Sequence, residues 1–132
     1  MKFTLTTVLL TALTASTTVT ATTVPQTDIN KCKKKNAHAV TAIDTFCLMS
    51  NIVVPGTYAT KGFHIGTGGP RDTTVYIAGN CKPGQWVPRS ICRAQFYSMC
   101  ANSADGSHGD SVANYGRNGC QEWFINVKGA YA

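Results

Sequence analysis

Cys92, Phe96, Met99 and Cys100 recur at the i, i+4, i+7, i+8 spacing of one helix face. Ile91 widens this stripe, and Arg89, Arg93 and Gln95 lie largely off it. Pro88 opens the pattern, where a missing N–H costs nothing because the first turn cannot satisfy it anyway. The spacing predicts a helix over Pro88–Cys100. A second helical pattern follows Asn36, a residue suited to N-capping. Over 37–49 its inner face is Ala39, Val40, Ile43, Phe46 and Cys47, with His38 on the surface of the first turn.

The remaining apolar positions alternate or cluster in short runs. Ile52-Val53-Val54 is a β-branched strand stopped by Pro55-Gly56. Residues 57–65 alternate through Tyr58, Phe63 and Ile65 and predict a strand. Residues 73–78 predict the clearest strand of the chain, and Gly66 to Asp72 is the hairpin loop between these two. That glycine-rich loop lacks the Gly-Lys-Ser/Thr ending of a phosphate cradle. Residues 120–127 close the chain as a strand with Trp123, Ile125 and Val127 on one face and Glu122, Phe124 and Asn126 on the other. An aromatic on the second face predicts that both faces are partly covered. Residues 22–30 read as a loose lead-in, 83–87 as a lead into the Pro88 helix, 101–114 as a long polar loop, 115–119 as a turn and 129–132 as a tail. Trp86 either packs as a hydrophobic staple on the first turns of that helix or stands out as a stacking platform. Together these elements predict an α+β domain, an antiparallel sheet flanked by helices.

Cysteine usage adds covalent staples. There are six cysteines, Cys32, Cys47, Cys81, Cys92, Cys100 and Cys120. The N-terminus reads as a secretory signal peptide: Lys2, an apolar run over 8–15 too short to span a bilayer, and the small residues Val19-Thr20-Ala21. Cleavage after Ala21 leaves residues 22–132 as one domain, secreted and extracellular. In that setting an even cysteine count implies three disulfides, with about 15 connectivities open. Eight residues of helix separate Cys92 from Cys100 by about 12 Å, beyond the roughly 7 Å limit for bonded Cα atoms. Each must therefore staple the helix to a different neighbour. No Cys-x-x-Cys pair and no closely spaced histidines occur, so no metal and no cofactor is expected. No second apolar segment is long enough for a transmembrane span.

The net charge of +6 falls to +5 without Lys2, and four of those positives cluster at Lys31, Lys33, Lys34 and Lys35. Outside this cluster the chain is nearly neutral, which is not the basic stripe of a specific nucleic-acid binder. Sugar recognition needs aromatics to stack on ring faces and planar polar groups to fix hydroxyls. Residues 101–119 supply Asp105, His108, Asp110, Asn114 and Arg117, and Tyr115 and Trp86 supply aromatics. These seven are the candidate glycan-binding residues. A secreted ribonuclease is the rival, with His38, His64, His108, Glu122 and Arg117 as possible acid–base groups and phosphate cation, although no two histidines share a motif. A membrane-active toxin or effector is the third class. No Gly-x-Ser-x-Gly occurs and Glu122 is the only glutamate, so the expectation is a binding protein and not an enzyme.

Two resemblances extend this reading. The segment from Trp86-Val87-Pro88 through Cys92-Arg93-Ala94-Gln95-Phe96-Tyr97-Ser98-Met99-Cys100, continued by Tyr115 to Gln121, is similar to small secreted fungal proteins. The whole mature chain, with its threonine-rich signal, resembles the secreted glycan-binding proteins of mushrooms such as the shaggy ink-cap. That resemblance implies a single-domain α/β/α sandwich, and a homodimer whose sheets join edge to edge. It also implies lectin-like binding of complex N-acetylhexosamine-containing glycans on glycoproteins or cell surfaces, with a defensive or cytotoxic role. The Gln95-Phe96-Tyr97-Ser98-x-Cys100 element also resembles the helix of smut killer toxins and of effectors sharing their α/β sandwich. That match implies a shared fold more than a shared toxicity.

Overall fold

The computed structural model describes residues 23–130, so the signal segment expected over 1–21 lies outside the described residues. Four helices and six strands follow in the order α1 (Gln26–Lys35), α2 (Ala37–Phe46), β1 (Ile52–Val54), α3 (Thr57–Lys61), β2 (Phe63–Ile65), β3 (Thr73–Gly79), β4 (Gln85–Val87), α4 (Arg89–Ala101), β5 (Ser111–Tyr115) and β6 (Gln121–Val127). The strands form a four-stranded antiparallel sheet ordered β2-β3-β6-β5 and a two-stranded β1-β4 pair. The α+β domain with three disulfides is thus the architecture. Among the described residues no helix is long and apolar enough to cross a membrane.

One face of the larger sheet carries the core. Val75, Ile77, Trp123 and Ile125 are fully buried there against Ile43 and Phe46 of α2 and Phe96 of α4. The Phe96 ring lies 4.7 Å from Trp123 and 5.8 Å from Phe46, so aromatic contacts join sheet, α4 and α2 in one chain. On the other face Phe124 stacks on Tyr76 at 4.5 Å, flanked by exposed His64, Glu122 and Asn126. An aromatic neighbour from the adjacent strand covers Phe124 there, in the position where a helix was expected. The helices pack along the inner face.

All six cysteines pair, as Cys32–Cys100, Cys47–Cys92 and Cys81–Cys120. The stripe of α4 behaves as its spacing requires: Cys100 ties it to α1 and Cys92 to the end of α2. Asn36, 2% exposed, caps α2 by accepting the His38 N–H at 3.0 Å, and its amide donates to Arg71 O and Thr73 Oγ1.

Several elements differ from the expectations. Residues 26–35 are helical, so the expected loose lead-in over 22–30 is helix from Gln26 onward, although Cys32 is the sole fully buried residue of α1. Its sequence did carry a helix signature, Asp28 in the first turn and three lysines in the last, which matches the helix dipole. Residues 57–61 form a turn of helix, not a strand, because Tyr58 stacks on Phe46 at 5.2 Å and donates to Phe46 O at 2.8 Å. Gly62, at φ 66, then reverses the chain where a Cβ would collide with the β3 backbone. Helix α2 stops at Phe46, leaving Leu48 and Met49 exposed. The polar run after α4 does not stay a loop: Ser111 to Tyr115 pairs with β6 from Ser111↔Ile125 to Tyr115↔Gln121. Gln85 to Val87 pairs with β1, so the segment leading into α4 is itself a strand.

Candidate functional site

Strand β4 and the start of α4 build a groove of about 540 Å³, within the size range of small-ligand sites. Trp86, 62% exposed, forms one wall, although a tryptophan is costly to leave in water. Its position follows from the pleat. Val87 points into the core, so Trp86, one residue earlier on a strand of period two, points out. The indole N–H donates to Ser50 O at 2.7 Å, which fixes the ring plane. The platform is therefore preorganised, and its open face is apolar.

The lining also includes Pro88 and, from the N-terminal end of α4, Arg89, Ser90 and Arg93. Arg93 donates through Nε to Asp44 Oδ1 at 3.1 Å, and the Tyr97 hydroxyl donates to the same oxygen at 2.9 Å. The Arg93 guanidinium carbon also stands 5.6 Å from the Tyr97 ring centroid. Burial, reinforced by the Asp44 carboxylate, pushes the Tyr97 hydroxyl well above its ordinary value of 10.0. Asp44 and Tyr97 thus hold Arg93 in place. Arg89 is exposed and makes no salt bridge among the described residues. Pro88 contributes no side-chain cap to α4.

Of the seven candidate glycan-binding residues, only Trp86 lines this groove. Asp110 lines a second groove of about 550 Å³ on the outer sheet face, with His64, Asp72, Thr74, Asn126 and Lys128. Its Oδ2 accepts the Val127 N–H at 2.9 Å, and His64 Nδ1 lies 2.8 Å from Thr74 Oγ1. Arg117 lines a third groove, where Gln85 Oε1 accepts its backbone N–H at 2.9 Å. Asn114 is exposed on the outer face of β5, opposite Glu122. Tyr115 turns inward and meets Trp123 edge-on at 5.2 Å, and burial raises its hydroxyl pKa. Asp105 and His108 sit in the turns between α4 and β5, His108 at a positive φ of 53. The loop chemistry proposed from sequence is thus distributed over several surfaces. Of the nuclease candidates, His64 is in the second groove, whereas His38 lies beside the Arg71 carbonyl. Among the described residues no cluster of three His, Cys, Asp or Glu side chains is placed to hold a metal ion.

Sequence reasoning missed Arg89, Arg93 and Ser50 as site residues. Arg89 and Arg93 were visible as polar positions i, i+4 on the outer face of the predicted helix. Nothing in the sequence signalled that Ser50 would meet Trp86. Comparison with protein-family models, with curated proteins and with solved structures returns no match for this chain.

Proposed function

We propose that this chain is a secreted, non-enzymatic glycan-binding protein, a lectin for complex N-acetylhexosamine-containing glycans, and that the Trp86 groove is its site. The observation that carries the reading is an exposed indole whose N–H is already satisfied. Such a ring has only its apolar face to offer, which suits the apolar face of a pyranose. The neighbouring arginines and serines supply the planar and hydroxyl donors that fix sugar hydroxyls. Three disulfides suit an extracellular environment. The resemblance to mushroom glycan-binding proteins supports the same reading. It also motivates a homodimer: β5 is an edge of the larger sheet, and a second copy could pair with it. Sedimentation at the mass of one chain at micromolar concentration would refute the dimer.

A glycan array probed with the oxidised protein, alongside an RNA-cleavage assay on the same sample, tests the function. Selective binding to a related group of glycans without RNA turnover is the expected result. Binding should be lost in Trp86→Ala and kept in His64→Ala. A blank array with RNA cleavage abolished by His64→Ala would replace the lectin with a nuclease. A second reading, a killer-toxin-like effector that contacts a target protein, is favoured by exposed Leu48, Met49 and Val53, which flank the groove residue Ser50 in the chain. Val53 pairs across the strands with Trp86. A blank array together with loss of target-cell toxicity in Val53→Ser would select it.

A further inference from the structure

We infer that the glycans taken by the Trp86 groove are acidic ones, sugars bearing a sulfate or carboxylate beside the ring that stacks on the indole. This rests on the lectin reading of that groove and adds the ligand's charge to it. The walls of the groove contain Arg89 and Arg93 and no carboxylate. Asp44, the acid bonded to Arg93, is committed: one oxygen accepts from both Arg93 Nε and the Tyr97 hydroxyl. Bonding through Nε leaves the two terminal amino groups of Arg93 without a hydrogen bond among the described residues. Those groups form the fork that binds a sulfate or carboxylate in two-point fashion. Arg89, four residues earlier, is on the same side of the helix and has no salt bridge among the described residues.

A neutral sugar offers both guanidinium groups only hydroxyl acceptors, in place of water. An acidic one exchanges that water for charge-assisted hydrogen bonds in a concave, partly apolar setting where they are stronger. The Ser90 side chain and the uncapped first turn of α4 add further donors and positive potential on the same wall. Trp86 distinguishes this site from a generic anion patch, because the anion must be carried on something flat enough to cover the indole. The lysines of α1 offer charge without such a surface.

The test is calorimetric titration of the secreted, oxidised protein with a matched pair, a sulfated N-acetylhexosamine disaccharide and its desulfated counterpart. The sulfated sugar should bind about tenfold more tightly at low salt, the change expected for one charge-assisted hydrogen bond. The advantage should shrink as salt shortens the screening length from about 10 Å at 0.1 M toward about 3 Å at 1 M. Arg89→Gln should abolish the difference, so that the two sugars bind that variant equally, and Trp86→Ala should weaken binding of both. Equal affinity for the two sugars in the unaltered protein would overturn the acidic preference and leave the lectin standing. An undiminished preference in both Arg89→Gln and Arg93→Gln would overturn the assignment to this groove. No binding of either sugar, with a blank glycan array, would overturn the lectin reading and the inference together.

Discussion

The chain has two tryptophans, and the fold treats them in opposite ways. Trp123 is fully buried, with Phe96 and Tyr115 against its ring and its indole N–H donating to Gln121 Oε1 at 2.9 Å. Trp86 is 62% exposed, and its indole N–H donates to Ser50 O at 2.7 Å. Both polar handles are satisfied, so hydrogen bonding does not separate the two. What differs is the number of apolar layers above the strand. Trp123 is on a strand covered by α4, whereas Trp86 projects from the outward side of the β1-β4 pair. The first ring holds the molecule together. The second is oriented as firmly but held open, which is what a recognition surface requires.

This contrast can be broken by substitution. Trp123→Ala should cost about 3–5 kcal/mol, the range for a large aromatic removed from a packed core, and urea unfolding would measure it. A loss below about 1 kcal/mol would mean that the inner face is not the core described. Removing the Cys47–Cys92 bridge, with both positions changed to serine, should cost about 2–4 kcal/mol. Thermal unfolding would follow it, and the loss should fall on the seam between α4 and α2 that supports Trp123. Asp44→Ala should cost about 1 kcal/mol by depriving the Tyr97 hydroxyl of its acceptor. It should also weaken sugar binding by releasing Arg93, which separates a positioning role from mere stability.

The pH dependence sharpens the same point. The Tyr97 hydroxyl has its pKa raised in the fold, first by burial and then by Asp44. A raised pKa means that the folded state keeps a proton which the unfolded chain gives up near pH 10. This stabilisation is complete below about pH 10 and is lost as the pH rises beyond it. Tyr58 and Tyr115 are shifted in the same direction by burial. Stability measured by denaturant should therefore fall on the alkaline side of about pH 10, and Tyr97→Phe should flatten that fall. Trp86→Ala should have the smallest effect on stability, within about 0.5 kcal/mol as for surface changes, while abolishing glycan binding. A large destabilisation there would make Trp86 a second core residue and erase the contrast.

Much of the covalent and apolar framework was legible in the residues alone. The stripe of α4 and the rise per residue of a helix already forbade a Cys92–Cys100 bond, and the two cysteines do bond to different partners. Asn36 as a cap and the β2–β3 hairpin follow from local chemistry, so they needed no knowledge of the rest of the fold. By contrast, α3 exists because Tyr58 reaches Phe46, and β5 because β6 offers it a ladder to join. Ser-Val-Ala-Asn-Tyr is too weakly patterned to announce a strand by itself. The candidate site was less legible still. Trp86 was visible as an aromatic with two possible roles, but the choice between them depended on β1 pairing with β4.

Local patterning was enough for the architecture: helices and strands of an α+β domain, three disulfides, and the inward face of its main helix. Those features rest on periodicity, capping and the reach of a side chain, all of which act within a few turns of chain. Where Trp86 points, which arginines share its groove, and the spread of the polar residues after α4 over separate surfaces all depend on packing between distant elements. Such pairings join segments far apart in the chain, such as Ser50 with Trp86 and Asp44 with Arg93. No local pattern encodes them, because each is fixed by how whole elements pack.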